Sequence, residues 1–168
     1  MQLIENPRTG ETIRILDSGR KSGILRFELT LEPGGKVPAP HRHPGQAERF
    51  EVLEGRVRFR IGLSTQCLLP GQSVTVSRGR SHSFANAGGE KARLLVETTP
   101  ALKMEDLLRQ APELSALRRG RLPWALARFL KKFEQEIEPP YIPRRISAPL
   151  LRLAARLAGG AGREGIAS

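Results

Sequence analysis

The sequence predicts a mainly β domain, a sandwich or barrel of short strands, followed by an α-helical C-terminal extension. Three observations carry this. Up to about residue 99, apolar and polar residues alternate in short runs; Pro and Gly turns separate those runs; beyond Thr99-Pro100 the apolar spacing becomes helical. Short strands at this spacing are typical of sandwiches and barrels.

Taken in order, Gly23 to Leu31 is the first clear strand, with Leu25, Phe27, Leu29 and Leu31 on one face and Arg26, Glu28 and Thr30 on the other. Glu32-Pro33-Gly34-Gly35 is a turn. Arg49 to Val52 and Arg56 to Ile61 are strands joined at Leu53-Glu54-Gly55, the second alternating Val57, Phe59 and Ile61 with Arg56, Arg58 and Arg60. That parity puts Arg26, Glu28, Arg58 and Arg60 outside the barrel rather than in a cavity. Pro70-Gly71 turns the chain, Ser73 to Val76 is a strand, and Ala92 to Thr98 is the last. Ala101 to Gln110 is helical in composition, and Pro112 is expected to restart the chain. Trp124 to Ile137 places Phe129, Phe133 and Ile137 on one helical face, with Leu126 and Leu130 beside them. Glu138-Pro139-Pro140 ends it. Pro149 to Ala158 is amphipathic again, and the last ~10 residues read as frayed.

A chain of 168 residues suits one domain with an appendage: residues 1–99 as barrel, and 100–168 as an extension that is not an independent domain. A barrel of ~100 residues buries a usable core without a staple. Cys67 is the only cysteine, so no intramolecular disulfide exists; its neighbours Leu68 and Leu69 predict a buried thiol. Met1 to Gly10 is polar and mixed, and Arg152 and Arg156 interrupt the late apolar stretches, so the expectation is a cytoplasmic protein. The net charge is +11, but residues 1–100 hold 15 Lys/Arg against 10 Asp/Glu, and residues 101–168 hold 13 against 7. This spread, without aromatic stacking positions, favours a solvated basic surface over a nucleic-acid site. Arg144, Arg145, Arg152 and Arg156 beside Leu150, Leu153 and Leu157 fit either a basic helix on an anionic membrane surface or, preferred, a helix packed on the barrel or a dimer partner.

All three histidines lie in two short segments. His41 and His43 follow Gly35 and precede Glu48 and Gly55; His82 follows Gly71 and Gly79 and precedes Asn86. Side chains two apart on a strand point the same way, so His41 and His43 can aim at one point. Glu48 returns to it after Pro44-Gly45, and His82 arrives from a separate strand. Three imidazoles and a carboxylate suit a single divalent transition ion (Fe, Mn, Ni, Cu, Co or Zn) better than Mg or Ca. Four protein ligands leave about two positions of an octahedral ion open.

The first segment fits Gly-x5-His-x-His-x4-Glu-x6-Gly throughout, and the second fits Gly-x5-Ser-x-Gly-x2-His-x3-Asn. In both, the chain resembles the cupin superfamily over residues 20–99, departing once, where Ser77 stands in place of the usual proline. The 15 residues between Gly55 and Gly71 resemble the short spacing of small bacterial cupins. The resemblance implies a double-stranded β-helix, or jelly roll, of six to eight strands, with His41, His43, Glu48 and His82 as metal ligands and a homodimer as the assembly. Phe50, Val52, Phe59 and Phe84 are expected to line the barrel. Gln46 either rims the substrate pocket or faces solvent, and Asn86 either serves the site or caps the turn before Gly88-Gly89.

Three functions follow. The favoured one is a metalloenzyme on a small oxygen-rich molecule, with dioxygenase-type oxidation if the metal is redox-active and Glu48 as ligand or general base. The second is O2-independent isomerase, lyase or decarboxylase chemistry on the same residues. The third is a non-catalytic small-molecule-binding module signalling through its tail. Metal-free epimerases of the His/Tyr kind are disfavoured because the only tyrosine, Tyr141, lies outside the barrel.

Overall fold

A computed structural model of the chain describes residues 3–37, 39–117 and 122–139. Among the described residues nine strands precede two helices: β1 (Leu3–Asn6), β2 (Glu11–Asp17), β3 (Leu25–Leu31), β4 (Ala47–Glu54), β5 (Val57–Ile61), β6 (Ser64–Leu68), β7 (Ser73–Val76), β8 (His82–Asn86), β9 (Ala92–Thr99), α1 (Met104–Ala116) and α2 (Leu122–Lys132). The strands pair antiparallel in two sheets, one ordered β1-β2-β3-β9-β4-β7 and one ordered β6-β5-β8. This is a double-stranded β-helix. The expected strands are present; β1, β2 and β6 are additional, and the β1–β2 hairpin widens the larger sheet.

The alternation in the sequence becomes the inside and outside of the barrel. Leu25, Leu29, Leu31, Phe50, Val52, Val57, Phe59, Leu94 and Val96 are buried, each contributing about 1.5–3 kcal/mol. Arg58 and Arg60 are exposed, Arg26 pairs with Glu97 at 2.7 Å, and Glu28 pairs with Arg14 at 2.7 Å. These four charges lie outside the barrel, as parity requires. Gly55 closes the β4–β5 turn at φ +77°, and a Cβ there would stand 2.8 Å from the Ala92 Cα. Only glycine fits both constraints. At Ser77 the turn forms without proline, its carbonyl accepting the Arg80 N–H at 3.1 Å.

Two expectations are corrected. Cys67 is exposed, because β6 is an edge strand whose outer residues meet solvent; only Leu68 on it is buried. Pro112 lies inside α1 rather than breaking it. It costs the helix a hydrogen bond to the Leu108 carbonyl, about 3 kcal/mol in an isolated helix. Burial of Met104 and Leu107 in the turns before Pro112, with Leu108 packed against the core, offsets it.

The helices are part of the core rather than an appendage to it. Phe133, just past α2, is fully buried, and Met104 and Leu107 join the same apolar cluster as the barrel residues. The helical reading of Trp124 to Ile137 is right as far as Lys132, after which the chain turns through Phe133 to Glu136. Trp124 and Leu126 face outward, at 48% and 39% exposure. The basic segment containing Arg144, Arg145, Arg152 and Arg156, and the frayed end, lie outside the described residues.

Candidate metal centre

Glu48 enters from β4, where it pairs with Val76 and Thr98, and His82 opens β8. His41 and His43 are not on a named strand. They lie on an extended loop that bridges β8, with His41 and His82 exchanging both backbone hydrogen bonds, at 3.0 and 2.8 Å. The register of that bridge sets the two imidazoles side by side, with ring centres 4.4 Å apart. The ligand atoms of His41, His43, Glu48 and His82 all lie within 4.8 Å of one another, a grouping that can hold a metal ion.

Every imidazole is oriented by its far nitrogen. Nδ1 of His41 meets the Ala39 carbonyl at 3.1 Å, Nδ1 of His82 meets the Arg80 carbonyl at 3.3 Å, and Nδ1 of His43 makes a short bond to the Glu136 carbonyl. A carbonyl only accepts, so each Nδ1 carries the proton and each Nε2 is left with a lone pair. Glu48 is fixed likewise: its Oε1 accepts the Thr98 hydroxyl at 3.2 Å, freeing Oε2.

The consequence is a cluster of acceptors without a donor. Nε2 of His43 and of His82 are buried without an aligned hydrogen bond and face Glu48 Oε2 at 3.0 and 3.2 Å. Lone pairs facing a carboxylate repel unless a cation stands among them. Without a metal that cation is a proton. Burial works against a charge on His43, but the carboxylate of Glu48 and its contact outweigh burial and raise its pKa. Glu48, despite complete burial, is held well below the usual carboxylate range by His43 and His82. Burial, with the neighbouring His43 and His82, pushes His41 down to about 3, so it is neutral and ready to ligate. A divalent ion that displaces the shared proton satisfies all four groups, so the residues fit a metal.

Residues after α2 complete this centre, and nothing in the local sequence announced them. The Gly45 N–H donates to the Gln135 carbonyl at 2.9 Å, and Arg42 and Glu138 exchange backbone hydrogen bonds at 3.0 and 2.9 Å. The Arg42 side chain adds an ion pair to Glu138 at 3.1 Å. Between these, Glu136 gives its carbonyl to His43 and its carboxylate to the Lys103 N–H at the start of α1. Three residues of the extension, Gln135, Glu136 and Glu138, thus pin the loop that carries two of the candidate ligands.

The remaining site candidates separate. Phe50 and Phe84 line a cavity beside His41, His43 and Glu48. Phe59 packs behind them, its ring centre 5.2 Å from that of Phe50 and 5.4 Å from that of Phe84. Gln46 is not at that cavity; it is buried, and its amide donates to the Pro100 and Ala101 carbonyls at 2.9 and 3.0 Å, tying the ligand loop to the head of α1. Asn86 clasps the turn: it donates to the carbonyls of Leu31, Glu32 and Glu90 and accepts from the Gly88 N–H.

This fold and clustered site define a class. A family model described as a cupin domain matches residues 27–97. Over those residues the chain is a cupin domain. It is 31% identical over 100 residues to the HTH-type transcriptional regulator PuuR of Escherichia coli, over 58% of this chain and 53% of that one. It is 29% identical over 82 residues to the polyketide synthase CurC of Streptomyces cyaneus, over 49% and 52%. The chain spans about half the length of these curated relatives. Its fold is similar to that of an RmlC-like cupin from Shewanella frigidimarina, with a TM-score of 0.54 and 16% identity over 62% of this chain and 87% of that one. Among the described residues, no helix is long and apolar enough to cross a membrane.

Proposed function

We infer that this protein is a mononuclear divalent-metal cupin acting as an enzyme on a small molecule that presents oxygen donors, with O2-dependent oxidation the favoured reaction. One observation carries the reading: three Nδ1 atoms are spent on backbone carbonyls, so three Nε2 atoms and Glu48 converge with lone pairs only. A transition ion held there supplies Lewis acidity and, for iron, manganese, nickel or copper, a redox couple. The chain's own residues do the rest. Burial keeps His41 neutral, and Thr98 steers one Glu48 oxygen away from the ligand cluster. Glu48 is either a constant ligand or the base that takes a substrate proton. Phe50 and Phe84 present an apolar wall on the substrate side. The same reading makes the protein a cytoplasmic homodimer with no nucleic-acid contact.

The test is the metal content of the protein as isolated, followed by O2 uptake with diketones, enediols, flavonol-like phenols and hydroxy acids. Iron, manganese, nickel or copper with O2 consumption supports the oxygenase. Turnover without O2 would replace it with isomerase, lyase or decarboxylase chemistry on the same residues. Absence of metal even after supplementation would remove the proposal. A non-catalytic ligand-binding module is the second reading, favoured by the match to part of a transcriptional regulator; ligand binding without turnover is its signature.

A further inference from the structure

The cluster of candidate ligands does not sit at the bottom of a polar cleft. It opens into a cavity of about 440 Å³ whose walls are mostly apolar. The barrel supplies Ile13, Phe27 and Leu29 to one wall, and α1 and α2 supply Leu108, Phe129 and Leu130 to the other. Polar groups appear at two places: the candidate ligands His41, His43 and Glu48, with Glu138 paired to Arg42 beside them, and a group formed by Asn6, Glu11 and Ser115.

Strand register places these two polar groups at opposite ends of the sheet. Glu48 pairs with Thr98 and Thr98 with Leu25, whereas Glu11 pairs with Leu31 at the other end of β3. Leu25 to Leu31 is six residues of rise, about 20 Å. A volume of about 440 Å³ spread over that length makes the chamber elongated rather than round. A sugar-like polyol would strand its hydroxyls against Phe27, Leu29 and Leu108, where nothing answers them.

We propose that the chamber between the barrel and the helical extension binds an elongated amphiphile, with an oxygen-bearing head at the His41–His43–Glu48 end and an apolar body under α1 and α2. The head's place rests on the metal reading above; the body's place rests on the walls alone. The extension is then the element that selects the substrate, because half of the chamber belongs to it.

Chain-length dependence tests this directly. Cobalt-loaded full-length protein is titrated calorimetrically with acetohydroxamate and octanohydroxamate, which share a chelating head and differ by six methylenes. Each buried methylene is worth about fourfold in affinity, so the longer probe should bind at least about 100-fold tighter. Ala111→Trp, which fills the chamber beside α1, should abolish that preference while leaving cobalt content and acetohydroxamate affinity unchanged. Equal affinity of the two probes for the loaded wild-type protein overturns the proposal, whatever the variant does. The metal-free protein is titrated in parallel with butanol and octanol. If the protein takes up no cobalt but prefers octanol, and Ala111→Trp removes the preference, the metal centre falls and the chamber stands. If neither cobalt nor octanol binds, both fall.

Discussion

The barrel and the helical extension contribute to one site by opposite means. The barrel contributes side chains: Glu48 and His82 from β4 and β8, and the Thr98 hydroxyl from β9. The extension contributes mostly backbone: carbonyls of Gln135, Glu136 and Glu138 that hold Gly45, His43 and Arg42. Side-chain ligands give a centre its identity, and the carbonyls behind them give it orientation. A motif is therefore a complete statement of the first contribution and silent on the second.

Truncation after Thr99 is the most severe way to break this comparison. It removes the Glu136 carbonyl from His43 and uncovers Phe27 and Leu29 to solvent. The expected outcome is an insoluble or metal-free protein, checked by sedimentation and elemental analysis. A soluble barrel retaining metal at full affinity would reduce the extension to an accessory. Next in size is His82→Ala. Removing one of four ligands should cost more than the 10–100-fold typical of groups that only orient ligands. Competition with a chromogenic chelator measures it, and a loss below about tenfold would exclude His82 from the ligand set.

The two regions were also unequally legible. Alternation at Leu25, Phe27, Leu29 and Leu31 exposes burial directly, since a strand reports its inner face every second residue. The glycine and histidine spacings were readable because Gly55 answers a local steric demand. β1 and β2 were missed because their burial is interrupted, with Leu3 and Leu16 half exposed. Glu136 was invisible for a different reason. Its partner His43 lies 93 residues away and is met by a carbonyl, which every residue possesses. Pro112 misled because propensity is local, whereas the packing of Met104 and Leu107 that holds α1 together is not.

Gly45→Ala sharpens the comparison by disturbing only the seam. An added Cβ would meet the Gln135 carbonyl and the Leu102 side chain, both at 3.0 Å, so the extension must shift by a few tenths of an ångström. The Glu136 carbonyl moves with it, and His43 loses its aligned partner. Metal affinity should fall about tenfold, the lower end of the outer-shell range, with all four ligands intact. Unchanged affinity would mean that His43 is held well enough by the barrel.

The smallest effect concerns Glu11, on β2 where the two regions face each other across the chamber. Burial raises its pKa, ahead of the opposing hydrogen bond from the Thr9 hydroxyl at 2.5 Å. A carboxyl whose folded pKa lies above its unfolded value binds its proton more tightly in the folded state. Its contribution to stability is therefore fully present at pH below the unfolded value of about 4.5 and is lost as pH rises through the folded value. Glu11→Gln keeps the size and an acceptor but has no charge to lose. The variant should match wild type at pH 4 and melt higher at pH 8, by on the order of 1–3 °C. Thermal melts at the two pH values decide it. Equal melting at pH 8 would mean that water reaches Glu11, and that the wall between barrel and extension is open where the chamber requires it to be dry.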